Sequence, residues 1–118
     1  MQNLEHEELL LKITEIESKI TINWLGKSRT QDPGEILDPY LQDLADELKG
    51  KEVVCDFTTL EFMNSSTVPS ILDFTELLDE NGIKTTIYFD STLEWQNASF
   101  GALNVLIMDM ENVDIISK

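Results

Sequence analysis

The sequence predicts one α/β domain, residues 1–118, with a mixed sheet opened by an antiparallel hairpin, parallel crossovers after it, and helices packed on the sheet. Three observations carry that reading. Apolar residues alternate at a period of two near the start of the chain, as in half-buried strands. Further on, stretches with apolar residues three and four apart alternate with short apolar runs, the order expected of helices crossing between parallel strands. The length suits one core, and 42% hydrophobic against 26% charged residues is a globular composition.

Residues 1–8 read as a polar amino-terminal segment. Leu9, Leu11 and Ile13 then share one side of a strand, and Ile20, Ile22 and Trp24 alternate with Thr21 and Asn23 in a second. The polar "EIESK" between them suits a hairpin loop of a few residues. "GKSRTQDPGE" reads as a loop with turn residues Gly26, Asp32, Pro33 and Gly34. A helix is expected from Asp38, with Leu37, Leu41, Leu44, Ala45 and Leu48 on one stripe, Pro39 in its first turn and Gly50 past its end. "EVVCDF" reads as a central strand buried on both faces. The next helix starts near Ser66, carries Val68, Ile71, Leu72, Thr75 and Leu78, and stops at Asn81–Gly82. "KTTIYF" supplies a further strand. "TLEWQNASFGALNVLIM" supplies a third helix with Trp95, Ala98, Ala102, Val105 and Leu106 on one face, although Gly101 costs it about 1 kcal/mol relative to alanine. "NVDIIS" adds a short edge strand.

The charge excludes some partners. With 23 acidic and 8 basic side chains, the formal net charge is −15, which repels phosphate backbones and anionic headgroups. Neither nucleic acid nor a membrane surface is expected as a partner. No apolar run approaches the roughly 20 residues of a membrane-spanning helix, and "MQNLEHEELL" lacks the basic start of a secretory signal, so the expected compartment is the cytosol. The single cysteine, Cys55, sits in the apolar run "VVCDF" and reads as a buried small hydrophobe without a second thiol for a metal site.

The stretch that carries chemistry is "EFMNSSTVPS", residues 61–70, where Ser65, Ser66 and Thr67 stand at a helix start. Such hydroxyls cap helices by accepting bonds from the orphan backbone N–H groups. The same place suits a phosphate, because the exposed N–H groups and the positive end of the helix dipole favour an anion by about 0.3–1 kcal/mol per charge. Adding about −1.5 to −2 charges to a contact patch would abolish docking without unfolding the domain. The residues alone fit both a cap and a switch.

The order "VVCDFTTLEFMNSSTVPSILDFTELLDENGIKTTIYF" resembles the STAS domain of anti-sigma-factor antagonists, in which a buried strand ending in Asp leads through an apolar–Met pair to a phosphorylatable serine and the second helix. The likeness covers roughly residues 9–116 in element order, and its specific part runs from Val53 to about Leu78. The usual motif has Asp after Met, then two hydroxyl residues and Gly. Here Asn64 replaces the aspartate and Thr67 the glycine, a pattern similar to SiaC-like regulatory phosphoproteins. The resemblance implies a non-catalytic partner-switching regulator with no cofactor or metal. Ser65 would be the phosphorylation site, with Ser66 and Thr67 as alternates, and Asn64, Ser66, Thr67 and Asp90 would contact the partner. It also implies a GHKL-type serine kinase, which can be the anti-sigma factor itself, a PP2C-type phosphatase, and in the SiaC-like branch a cyclic-dinucleotide synthase as target.

Other readings compete on the residues. An enzyme would use the hydroxyls near Asp56 and Asp90, but no base accompanies them, since the sole histidine, His6, lies in the polar first segment and reads as solvated. A receiver domain would hold Mg²⁺ with clustered acids, whereas Asp56 and Asp90 read as strand-end residues capping loops. A phosphorylation-independent interaction module could use Trp24, Tyr40, Trp95 and Phe100 as anchors, although aromatics at these spacings read as core. Glu76, Asp79 and Glu80 read as a solvated face, with a basic partner groove as the sharper alternative.

Overall fold

The computed structural model describes residues Met1–Lys118. Strands β1 (Leu4–His6), β2 (Leu9–Ile16) and β3 (Lys19–Ser28) come first, then helix α1 (Pro33–Glu47) and strands β4 (Glu52–Asp56) and β5 (Leu60–Met63). A 3₁₀ turn (Ser65–Thr67) leads into α2 (Val68–Glu80), followed by β6 (Thr85–Phe89), α3 (Glu94–Leu106) and β7 (Val113–Ser117). The seven strands form one mixed sheet in the order β1-β2-β3-β4-β6-β7, with β5 paired to β3. The β1, β2 and β3 pairings are antiparallel; β3 with β4 and β5, β4 with β6, and β6 with β7 are parallel. The α/β class, the opening hairpin and the parallel crossovers therefore stand as the sequence predicts.

Several boundaries differ, each for a physical reason. The polar amino-terminal segment contains β1, because backbone pairing with β2 (Leu4↔Leu11, His6↔Leu9) needs no apolar side chains. The hairpin closes tightly at Glu17–Ser18 instead of over five residues, and Ile16 faces Lys19. Glu17 takes the left-handed φ of 57° that a two-residue hairpin turn demands. The expected loop from Gly26 is partly strand: β3 runs on to Ser28, bulged between Gly26 and Lys27. Gly26 has φ +81°, and a Cβ on it would lie 1.9 Å from the Glu8 carbonyl oxygen, so only glycine lets the two chains meet there. Helix α1 begins at Pro33, earlier than Asp38, since proline suits the first helical position. Pro39 consequently lies inside the helix.

The helices cover one face of the sheet. On that face Leu11, Trp24 and Ile22 of the hairpin meet Cys55 and Ile87 across the parallel strands, all buried. Trp24 stacks on Phe57 with ring centroids 4.8 Å apart, Phe57 meets Phe100 at 4.8 Å, and Phe100 stacks on Phe89 at 5.6 Å. The opposite face carries Lys12, Thr14, Asn23, Thr86 and Asp114, which are exposed or half-buried. Strand β4 has helices on one side only, yet it is buried on both faces as expected: Val53 and Cys55 lie under the helices, and Val54 on the other face is shielded by its neighbours Thr21 and Thr86 on the flanking strands.

The third helix also turns the other way. Its inward face is Gln96, Phe100, Leu103 and Ile107, whereas Ala98, Ala102, Val105 and Leu106 are exposed and Trp95 is half-buried. The aromatic stack on Phe100 fixes that orientation, and so does Gln96. The Gln96 Nε2 donates to the Phe57 and Leu60 carbonyls at 2.7 and 3.1 Å, and its Oε1 accepts from the Asp90 N–H at 2.8 Å.

Candidate functional site

The hydroxyl stretch follows β5 at the carboxyl edge of the parallel strands, where ligands and partners of such sheets gather. Strand β5 pairs in parallel with the end of β3, Ser28 opposite Met63, and the Asn64 N–H donates to the Ser28 carbonyl at 2.9 Å. The Thr67 N–H then returns to the Asn64 carbonyl at 3.0 Å and closes the 3₁₀ turn.

Side chains lock this turn from inside. The Thr67 hydroxyl donates to Asn64 Oδ1 at 2.7 Å and lies 2.8 Å from the Ser28 hydroxyl. With its proton given to Asn64, Thr67 accepts the proton of Ser28. The Asn64 Nδ2 donates to the Thr30 carbonyl at 2.9 Å. That carbonyl can only accept, which fixes the orientation of the amide. Donors and acceptors therefore match along Ser28, Thr67, Asn64 and Thr30, and Ser28 and Thr67 are buried.

The network sorts the three hydroxyls. Thr67, expected as an alternate acceptor and a partner contact, has no exposed surface, because its side chain is the bolt between β3 and the turn. Ser65 and Ser66 are exposed. Neither Ser66 nor Thr67 caps a helix, since no side-chain cap bond is made at either helical start, in contrast to the capping expectation. The first turn of α2 carries no acidic residue and has proline in it. Beside Asn64, a cleft of about 520 Å³ is lined by Lys27, Arg29, Glu61 and Phe62, and Arg29 pairs with Glu8.

Asp90 stands at the end of β6 and is half-exposed. Its Oδ1 accepts from the Thr92 hydroxyl at 2.6 Å and the Thr92 N–H at 2.9 Å, which hold its carboxyl below the usual carboxylate range. Asp56 makes the same arrangement with Thr58, at 2.6 and 2.9 Å. Both aspartates cap loops, as the sequence suggests. No hydrogen bond joins Asp90 to the hydroxyl turn; its link to β5 runs through Gln96 to the Leu60 carbonyl.

Other expectations divide. Cys55 is buried, and desolvation with the neighbouring Asp56 charge pushes its thiol up to about 12. Trp24 and Phe100 are core residues, whereas Tyr40 and Trp95 are half-buried. Tyr40 donates to the Gln2 carbonyl, and burial followed by the Glu47 charge raises its phenol above the ordinary value. His6 is half-buried on β1 instead of fully solvated. Asp79 is not part of a free acidic face: its Oδ1 accepts from the Asn112 N–H at 2.9 Å and Nδ2 at 3.0 Å, fastening α2 to the loop before β7. Sequence reasoning missed Ser28 and Gln96, which bond Thr67 and the Phe57 carbonyl respectively, each 39 residues away in the chain. The only local signal was a polar residue on an otherwise apolar face.

The element order and the mixed sheet give the chain a SpoIIAA-like fold. Among solved structures, the chain is similar to a chain of the diguanylate cyclase SiaD in complex with its activator SiaC from Pseudomonas aeruginosa, at a TM-score of 0.68, 13% identity and 100% coverage of both chains. It is also similar to SiaC of Pseudomonas aeruginosa on its own, at a TM-score of 0.62, 15% identity and 100% coverage of both. An uncharacterized protein of the DUF3478 family with a SpoIIAA-like fold, from Shewanella loihica PV-4, gives a TM-score of 0.55 at 13% identity over 98% of this chain and 91% of that one. At these identities the likeness is one of fold. No protein-family model matches the sequence, and no curated protein matches it. No helix is long and apolar enough to cross a membrane.

Proposed function

We propose that the chain is a non-catalytic partner-switching regulator of the cytosol, whose docking to a signalling protein is controlled by reversible phosphorylation of Ser65. The observation that carries the reading is the division of labour in the turn: Thr67 and Asn64 hold the backbone, and Ser65 is exposed beside them with a hydroxyl that makes no hydrogen bond. A kinase can therefore reach the Ser65 hydroxyl without opening the core. In the transfer, the Ser65 oxygen bonds the γ-phosphorus of ATP, ADP leaves, and the hydroxyl proton passes to a base of the kinase.

The phosphate, carrying about −1.5 to −2 charges, would lie at the start of α2, where the dipole offsets its cost to the fold. Its effect falls on the partner instead, through charge and bulk in the contact. A GHKL-type serine kinase, itself an anti-sigma factor in the antagonist branch, would add the group, and a PP2C-type phosphatase would remove it by hydrolysis. The fold shared with the chain found in complex with a diguanylate cyclase favours a cyclic-dinucleotide synthase as the regulated target. Asn64, Ser66 and Asp90 would frame the contact, Asn64 as a strut and not as a carboxylate.

Binding of Ser65→Ala and Ser65→Asp to the kinase and to the synthase, by calorimetry, tests the reading. Ser65→Ala is expected to bind as the parent does and Ser65→Asp at least tenfold more weakly, with both folded by circular dichroism. Equal binding by the two would make the chain a phosphorylation-independent interaction module.

A further inference from the structure

We propose that the outward face of α3 is a second docking surface, taking an amphipathic helix of a partner protein whose apolar seam is flanked by lysine and arginine. Three observations lead there. Val105, Leu106 and Met108 are 66, 59 and 73% exposed, although Ala98, Ala102 and Val105 continue one apolar stripe at helical spacing. No charged residue occurs between Glu94 and Asp109, whereas the outer faces of α1 and α2 carry Asp43, Asp46, Asp73 and Glu76. A helix face meant for water in this chain is acidic, and this one is not.

The third observation is Gly101, in mid-helix on that stripe. A Cβ added to it would meet nothing within 4 Å, and its φ is not left-handed, so nothing inside the molecule requires glycine. Glycine weakens a helix interior, and close approach of another backbone is a reason to keep it. With the exposed Ala98 and Ala102 it makes a run of small residues, followed by the larger Val105 and Leu106 and, just past the helix end, Met108.

Charge selects the occupant. A second copy would bring another body of formal charge −15 against this one. A partner helix with basic flanks instead meets Glu94, Asp109 and Glu111 at the two ends of the stripe, all exposed. The proposal goes beyond the Ser65 switch and is independent of it.

The test uses the isotopically labelled full chain and two synthetic helical peptides of one length, a leucine seam flanked by lysine and the same seam flanked by glutamate. With the Leu/Lys peptide, amide shifts should concentrate in residues 95–108 and the affinity should fall several-fold between low and physiological salt. Val105→Asp and Gly101→Leu, both at open positions, should stay folded and bind at least tenfold more weakly, while Glu76→Lys on α2 should bind as the parent does. Shifts spread over the acidic helices and kept in Val105→Asp, equal binding of the Leu/Glu peptide, or no binding at all would overturn the proposal. A concentration-dependent dimer of the unliganded chain, abolished by Val105→Asp in sedimentation, would overturn it in favour of a second copy.

Discussion

Replacing Asn64 by aspartate, the residue usual at this place in the antagonist motif, should destabilise this chain. Asn64 Oδ1 accepts from Thr67, a role that a carboxylate oxygen keeps. Its Nδ2 donates to the Thr30 carbonyl at 2.9 Å, and in Asn64→Asp an anionic oxygen would face that carbonyl instead. Leaving a partly buried acceptor without its donor costs about 1–3 kcal/mol. The charge at the helix start returns about 0.3–1 kcal/mol, so the net loss is about 1–2 kcal/mol. For a domain of this size that lowers Tm by about 4–8 °C. The effect depends on pH with a definite sign. Facing a carbonyl, the new carboxyl has its folded pKa raised above the unfolded value of about 3.9, since only the protonated form can donate to Thr30. The deficit is therefore small below about pH 4 and grows as the pH rises through the folded pKa. Urea unfolding of both proteins by circular dichroism at pH 7 and pH 4 measures it. A variant as stable as the parent at pH 7 would refute the claim that the amide is a strut.

Other expectations follow from the same contacts. Thr67→Val should cost about 1–3 kcal/mol by orphaning Asn64 Oδ1 and the Ser28 hydroxyl, and adding Ser28→Ala should cost less than the sum, which a double-mutant cycle in urea measures. Gln96→Leu strips donors from the Phe57 and Leu60 carbonyls and the acceptor from the Asp90 N–H, so stability should fall by at least about 2 kcal/mol, and amide exchange should quicken in β5. Cys55 should resist iodoacetamide at pH 8 and react once urea unfolds the chain. With its folded thiol at about 12, above the unfolded value of about 8.5, it contributes stability present below pH 8.5 and lost as the pH rises toward 12.

The order of strands and helices was legible because the strongest patterns are local: the alternation of Leu9–Trp24, the stripe of α2, and the stop at Asn81–Gly82, where Gly82 has φ +67°. The loop-capping roles of Asp56 and Asp90 were equally local, each closing on a threonine two residues on. What failed was non-local. Strand β5 buries Leu60 and Met63 at its ends and exposes Glu61 and Phe62 between them, which is neither a strand nor a helix period; pairing with β3 makes it a strand. Helix α3 has two apolar faces, and only the fit of Phe100 between Phe57 and Phe89 decides which turns inward. In the hydroxyl turn, composition alone offered three hydroxyls, and the resemblance favoured Ser65 with Ser66 and Thr67 as alternates. Ser28 separates them, by taking Thr67 into the core and leaving Ser65 and Ser66 outside.

The most direct test joins chemistry to docking in one sample. The chain is incubated with a candidate GHKL-type serine kinase and Mg·ATP, the phosphate is located by site-resolved mass spectrometry, and partner affinity is measured before and after. A single phosphate on Ser65, none on Thr67, and release of the partner that PP2C-type phosphatase treatment reverses is the predicted result. Phosphate on Ser66 alone, or an affinity unchanged by a phosphate on Ser65, would contradict it.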